Sequence, residues 1–274
     1  RARLSSFLFV SAVGLLLSRI FFCLFDPNFI EIFSFKNMLN LSLGGLSMLG
    51  GVSGVIFACF VLYKRGDKSA FNDAVFPLLV FIVFARLAEN GTGLGLSRPL
   101  SESLGESAFI LKEEWGSFIR VWKIEGMAAG ALLVIMGLLY SKKPKNSSFA
   151  LKFIMLFGAS QIIMESLKYD GHMRFSFIAV QQILALLLLL LPILIMSLKL
   201  LSSRENKVLG LIGILMIIII PSAGLLIEFA IDRSEISKLV LYMAYIALLV
   251  LPLAEGFMLT RRIFDGKRKD CENK

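Results

Sequence analysis

Residues 183–195 read ILALLLLLLPILI. The run sits inside a longer apolar stretch, 177–198. At a rise of about 1.5 Å per residue such a stretch is long enough, as a helix, to cross about 30 Å of hydrocarbon. No flanking charge recurs at heptad spacing, which sets a leucine zipper aside and leaves a lipid-facing helix. Similar runs recur outward in both directions, at about 4–25, 43–63, 71–88, 124–141, 150–167, 208–231 and 239–260. With 57% hydrophobic residues, 24 Phe in 274 residues and a mean hydropathy of +0.80, the chain reads as all-α, a polytopic helical membrane bundle of about eight spans. The runs lack period-two alternation, so a barrel is not indicated, and an open sheet would leave backbone groups unsatisfied in lipid. Pro192, Pro221 and Pro252 fall within apolar runs, where a membrane helix tolerates a kink.

The net charge of +9 is sorted by loop. Arg1 and Arg3, Lys64, Arg65 and Lys68, Lys142, Lys143 and Lys145, Lys199, Arg204 and Lys207, and the tail RRIFDGKRK all fall on one side. By the positive-inside rule that side is cytoplasmic, with both termini inside. The tail is then a topology determinant that touches anionic lipid, and nucleic acid is not indicated. Cys23, Cys59 and Cys271 form no CxxC pair or metal-ligand spacing. No cleavable signal is recognisable, and the first residue is not Met, which leaves room for an upstream segment.

Ionisable residues at membrane depth are costly and mark function by default. Arg19, Arg86 with Glu89, Glu125, and Glu165 with Lys168 all fall near the outer ends of their spans, where one outer-leaflet cavity is expected to gather them. Interhelical ion pairs that only fix packing are the competing reading. In GGLSMLGGVSG, residues 44–54, glycines recur near every third or fourth position, which allows close helix contact or approach by a lipid headgroup. Gly91, Gly93 and Gly95 permit positive φ, and their N–H groups suit an anion. Trp115, Trp122 and Tyr169 read as interfacial belt anchors. The outer loop 89–123 is expected to form a small head or lid. Glu228 is expected to snorkel or join the outer cluster, and Glu255 to pair with Arg261 or Arg262.

In order along the chain, GLLLSRIFFCLF (14–25), GGLSMLGGVSG, NDAVFPLL (72–79), ARLAENGTG (85–93), WKIEG (122–126) and FGASQIIMESLKYD (157–170) together resemble the bacterial prolipoprotein diacylglyceryl transferases. The resemblance covers roughly residues 8–200, with 201–274 adding two helices and a basic tail. Arg19, Ser47, Gly50, Gly51, Arg86, Glu125 and Glu165 match family positions. The family His falls at Leu49, the signature Asn at Glu89, one Arg at Gln161 and another at Lys168. The family's usual first helix has no counterpart here.

That resemblance implies transfer of a diacylglyceryl group from phosphatidylglycerol to the cysteine thiol of a prolipoprotein, in the bacterial inner membrane, with glycerol phosphate leaving and no metal or organic cofactor. Arg86, Glu89 and Glu165 are then the expected catalytic residues. Arg19, Ser47, Gly50, Gly51, Asn90, Glu125 and Lys168 are expected to bind substrate. Arg86 suits the phosphate because its planar fork pairs phosphate oxygens. With Leu49 at the His position, Glu89 is the favoured proton acceptor and His172, the only His, the alternative. An inactive homologue that binds lipid or lipoprotein is the second reading. A transporter is disfavoured, as no inverted repeat is visible.

Overall fold

The computed structural model describes residues 2–25, 34–40, 45–89, 95–100, 106–114, 116–142, 148–169, 173–203 and 206–265. Among them the chain is nearly all helical: α1 Ala2–Phe25, α2 Phe35–Leu39, α3 Met48–Lys64, α4 Ala70–Ala88, α5 Val121–Lys142, α6 Phe149–Leu167, α7 Val180–Ser202, α8 Lys207–Arg233 and α9 Lys238–Thr260, the last continued by a π-helical turn, Arg261–Asp265. Every apolar run read from the sequence contains a helix. Seven are long and apolar enough to cross a membrane, which makes this a multi-pass membrane protein. The exception is α3, whose 17 residues reach about 25 Å. It starts at Met48 because Ser47, in extended conformation, accepts from Gly50 N–H and caps the helix there.

Two hairpins depart from the all-helical expectation. Strand β1, Ile110–Glu113, pairs antiparallel with β2, Gly116–Ile119. Residues 97 and 100 bond to the other edge of β2 through Ser97 N–H to Ile119 O and Leu100 N–H to Ser117 O. Arg174–Phe175 (β3) and Ile178–Ala179 (β4) form a second, minimal hairpin whose turn holds Ser176 at φ 59°. Both lie between spans, where hydration can satisfy the outer edge of a strand.

The chain divides into two compact units, residues 1–133 with 168–173, and 134–167 with 174–274, the division falling within α5. In the first, α1 lies against α3 along the glycine stripe: a Cβ at Gly50 would meet Phe21 Cβ at 2.6 Å and Leu17 O at 2.8 Å, and one at Gly54 would meet Val13 O at 2.8 Å. In the second, α6 to α9 pack through small residues in the same manner. Gly158 lies against the α7 backbone at Ala185 and Leu189, Gly213 against Ser197, and Gly256 against Met155. The leucine-rich run of α7 is not uniformly lipid-facing, since Ala185, Leu189, Leu190 and Ile193 are buried while Leu187, Leu191 and Ile195 are exposed.

Candidate functional site

Arg86 lies in the last turn of α4, and Glu89 follows as its extended C-cap. Arg86 Nη1 meets Glu89 Oε2 at 2.7 Å. Its Nε meets Glu125 Oε2, on the first turns of α5, at 2.9 Å. Lys168 Nζ approaches the same Glu125 oxygen at 3.5 Å. Four expected site residues are thus joined in one chain of ion pairs, two cations against two anions. Gly126 makes the junction possible, because a Cβ there would meet Leu87 Cδ2 at 2.8 Å and Arg86 Cβ at 3.3 Å. Lys123 Nζ donates to the Leu87 carbonyl and so binds the C-terminus of α4 to α5. The side chains grade outward from Glu125 at 0% exposed and Lys168 at 6% to Arg86 at 19% and Glu89 at 30%. The buried carboxylate therefore holds the inner nitrogen of the guanidinium, and the half-exposed one holds its outer nitrogen.

The segment before α5 backs this group. Gly95, at φ +80°, accepts from Val121 N–H, and a Cβ on it would meet Trp122 Cε3 at 3.2 Å. Trp122 is 2% exposed and packs inside the unit, so it is not the interfacial anchor expected of it. Tyr169 is exposed, with the Arg98 guanidinium 4.7 Å from its ring.

Arg19 has a different setting. Its Nε donates to Met38 O at 2.8 Å, Nη1 to Gly45 O at 2.9 Å, and Nη2 to Asn40 O at 2.7 Å and Asn37 O at 3.3 Å. The guanidinium thus gathers the carbonyls at the end of α2, where the helix dipole favours a cation, and holds that helix to α1. Ser47 joins the same region: its N–H donates to Ser18 O at 3.0 Å and its carbonyl accepts from Ser18 Oγ at 2.6 Å. Gly50 faces α1 at the close contact described above. Gly51 has room, since a Cβ there would meet nothing nearer than Ser18 Cβ at 3.6 Å. Leu49, at the family His position, is 1% exposed and part of the core.

Glu165, on α6, belongs to the second unit. It is 2% exposed, and the Gln181 amide, turned with its nitrogen toward the carboxylate, donates to Oε1 at 3.0 Å and Oε2 at 3.3 Å. Gln161, one turn earlier, is 3% exposed, and its Oε1 has no hydrogen-bond partner among the described residues. Glu228 does not snorkel; it is 6% exposed and accepts from Gln182 Nε2 at 2.7 Å. Glu255 makes no ion pair with Arg261 or Arg262; it is 2% exposed, and its Oε1 lacks a hydrogen-bond partner among the described residues. The adjacent Gln181 and Gln182 escaped the sequence reading, although two amides opening an otherwise apolar run were a visible signal. Asn90, His172, Gly91, Gly93 and Trp115 lie outside the described residues. Among the described residues no group of three or more His, Cys, Asp or Glu side chains is placed to hold a metal ion.

A family model described as prolipoprotein diacylglyceryl transferase matches residues 1–198. The chain belongs to the prolipoprotein diacylglyceryl transferase family. The match takes in α1 to α6, most of α7 and every residue expected to be catalytic or to bind substrate, while α8 and α9, with Glu228 and Glu255, lie beyond it. No curated protein and no solved structure matches. Within the family frame, the Arg86 chain carries charges on three separate segments, α4, α5 and the stretch after α6, whereas Arg19 is engaged by backbone.

Proposed function

We propose that this family member binds a glycerophospholipid headgroup, phosphatidylglycerol in the bacterial inner membrane, at Arg86 in the outer leaflet. There it transfers the diacylglyceryl group to the cysteine thiol of a prolipoprotein or a related acceptor. The observation that carries the reading is the two-sided grip on Arg86. Glu125, fully buried and backed by Lys168, fixes Nε, so the outer edge of the guanidinium is aimed by α5. Glu89, the most exposed member, occupies Nη1. A phosphate diester arriving at that edge exchanges with Glu89, because a guanidinium pairs either anion with the same fork geometry. The exchange frees a carboxylate beside the bound headgroup. In the reaction the thiol proton passes to that carboxylate, the sulfur forms a bond to the terminal glyceryl carbon, and the bond from that carbon to the phosphate ester oxygen breaks. Glycerol phosphate leaves with the electron pair, its new charge stabilised by Arg86. Glu165, the third expected catalytic residue, is buried on α6 with its carboxylate facing the Gln181 amide.

The burial of Leu49 favours a second reading, since no imidazole stands at the family His position and the site then binds lipid without turnover. Mass spectrometry of a lipobox peptide incubated with the purified protein and phosphatidylglycerol separates the two. A diacylglyceryl mass gain, lost in Arg86→Ala and in Glu89→Gln, is expected. Phospholipid that co-purifies in an Arg86-dependent way with no mass gain would replace the transferase reading with the binding one.

A further inference from the structure

The two helices beyond the family match carry a buried polar cluster. On α8, Glu228 accepts from Gln182 Nε2 at 2.7 Å. The side chains of Ser166 and Tyr245 lie against the same carboxylate, with the cationic Arg174 nearby. On α9, Tyr242 Oη donates to the Ser166 carbonyl at 3.1 Å and meets Ser166 Oγ at 3.5 Å. Gln182 is used twice, because its Oε1 also accepts from Ala179 N–H at 2.9 Å and closes the start of α7. The cluster therefore grips two places, the last turn of α6 through Ser166 and the first turn of α7 through Gln182.

Those two residues are the chain neighbours of another pair. Glu165 precedes Ser166 and Gln181 precedes Gln182, and the Gln181 amide is the donor that faces the Glu165 carboxylate. We propose that α8 and α9 form a clamp that positions Glu165, with Glu228 and Tyr242 as positioning residues that hold α6 and α7 in the one register where Gln181 reaches it. Inside a bilayer no water stands by to replace a broken side-chain bond, so a satisfied network of this kind selects a single arrangement of the helices it joins. A carboxylate at a site keeps its aim only if the elements carrying it are braced. The family match ends within α7, and the brace comes from the pair of helices beyond it. Glu165 as a site residue belongs to the function proposed above, and the inference rests on it to that extent.

Carbodiimide labelling of carboxyl groups tests the clamp. The full chain is placed in nanodiscs of phosphatidylglycerol and phosphatidylcholine, treated with a hydrophobic carbodiimide, and the modification of Glu165 and Glu255 is quantified by peptide mass spectrometry. Glu255, buried in the same unit but outside the cluster, reports general loosening. Glu228→Ala and Tyr242→Phe are expected to raise modification of Glu165 several-fold with Glu255 unchanged. Glu228→Gln, whose amide oxygen still accepts from Gln182, is expected to restore the wild-type level. Unchanged Glu165 labelling in Glu228→Ala and Tyr242→Phe overturns the proposal, as does a parallel rise at Glu255, or a Glu228→Gln result equal to Glu228→Ala. Tyr242→Phe removes one hydroxyl and keeps the ring, so the test survives if Glu228→Ala fails to fold. A wild-type protein without transferase activity would sink the function proposed above and leave the labelling result to decide the clamp.

Discussion

Glu125 is the residue on which the ion-pair chain depends, because its side chain is wholly buried and a buried carboxylate that loses its partner has no water to turn to. Arg86→Ala removes its 2.9 Å partner and keeps Lys168 at 3.5 Å. That substitution is expected to destabilise the protein by about 3 kcal/mol, and adding Glu125→Gln to Arg86→Ala is expected to recover most of the loss, as measured by thermal unfolding in detergent. Additive losses in the double variant would show that the two side chains are not coupled. Arg86, Glu89, Glu125 and Lys168 were legible in the sequence because ionisable residues near the ends of apolar runs stand out and must find one another. Arg19 stood out for the same reason, yet its partners did not. They are main-chain carbonyls, which every residue carries and no motif announces.

Among the elements, the α1–α3 seam separates two uses of glycine that look alike on paper. Gly50→Ala is expected to lose about 1–3 kcal/mol, the usual range for overpacking, since its new methyl meets Phe21 Cβ and the Leu17 carbonyl. Gly51→Ala is expected to stay within about 0.5 kcal/mol of the wild type, and unfolding measurements on the two variants check the contrast. If Gly51→Ala instead abolishes phospholipid binding at unchanged stability, that glycine faces the ligand. Helix existence and order were readable from apolar run length, which reports directly on burial in lipid. The start of α3 was not, because a serine cap overrode an apolar run that continues before it. The hairpins at 110–119 and 174–179 were not either, since strands of two to four residues owe their pairing to neighbours and not to their own pattern.

For the whole molecule, the alternation of basic loops predicts a topology that labelling can check. A cysteine introduced at Gly66, in the basic turn between α3 and α4, is expected to resist a membrane-impermeant thiol reagent in intact cells, while one at Glu106, in the segment leading into β1, is expected to react. The reverse pattern would invert the bundle and place the Arg86 chain on the cytoplasmic side. The partition into two units was not legible, because it falls inside a single uninterrupted helix, α5, after Leu133. The Arg19 cradle also bears on how the chain enters the membrane. As α1 leaves the ribosome and partitions into lipid it carries a guanidinium one of whose acceptors, the Gly45 carbonyl, lies 26 residues downstream. Until that stretch is synthesised, α1 lacks those acceptors, and an arginine in a span costs up to about 3 kcal/mol against insertion. Insertion of α1 is thereby expected to be coupled to the folding of α2 against it, and chains truncated before Gly45 are expected to hold α1 in the membrane less well than longer ones.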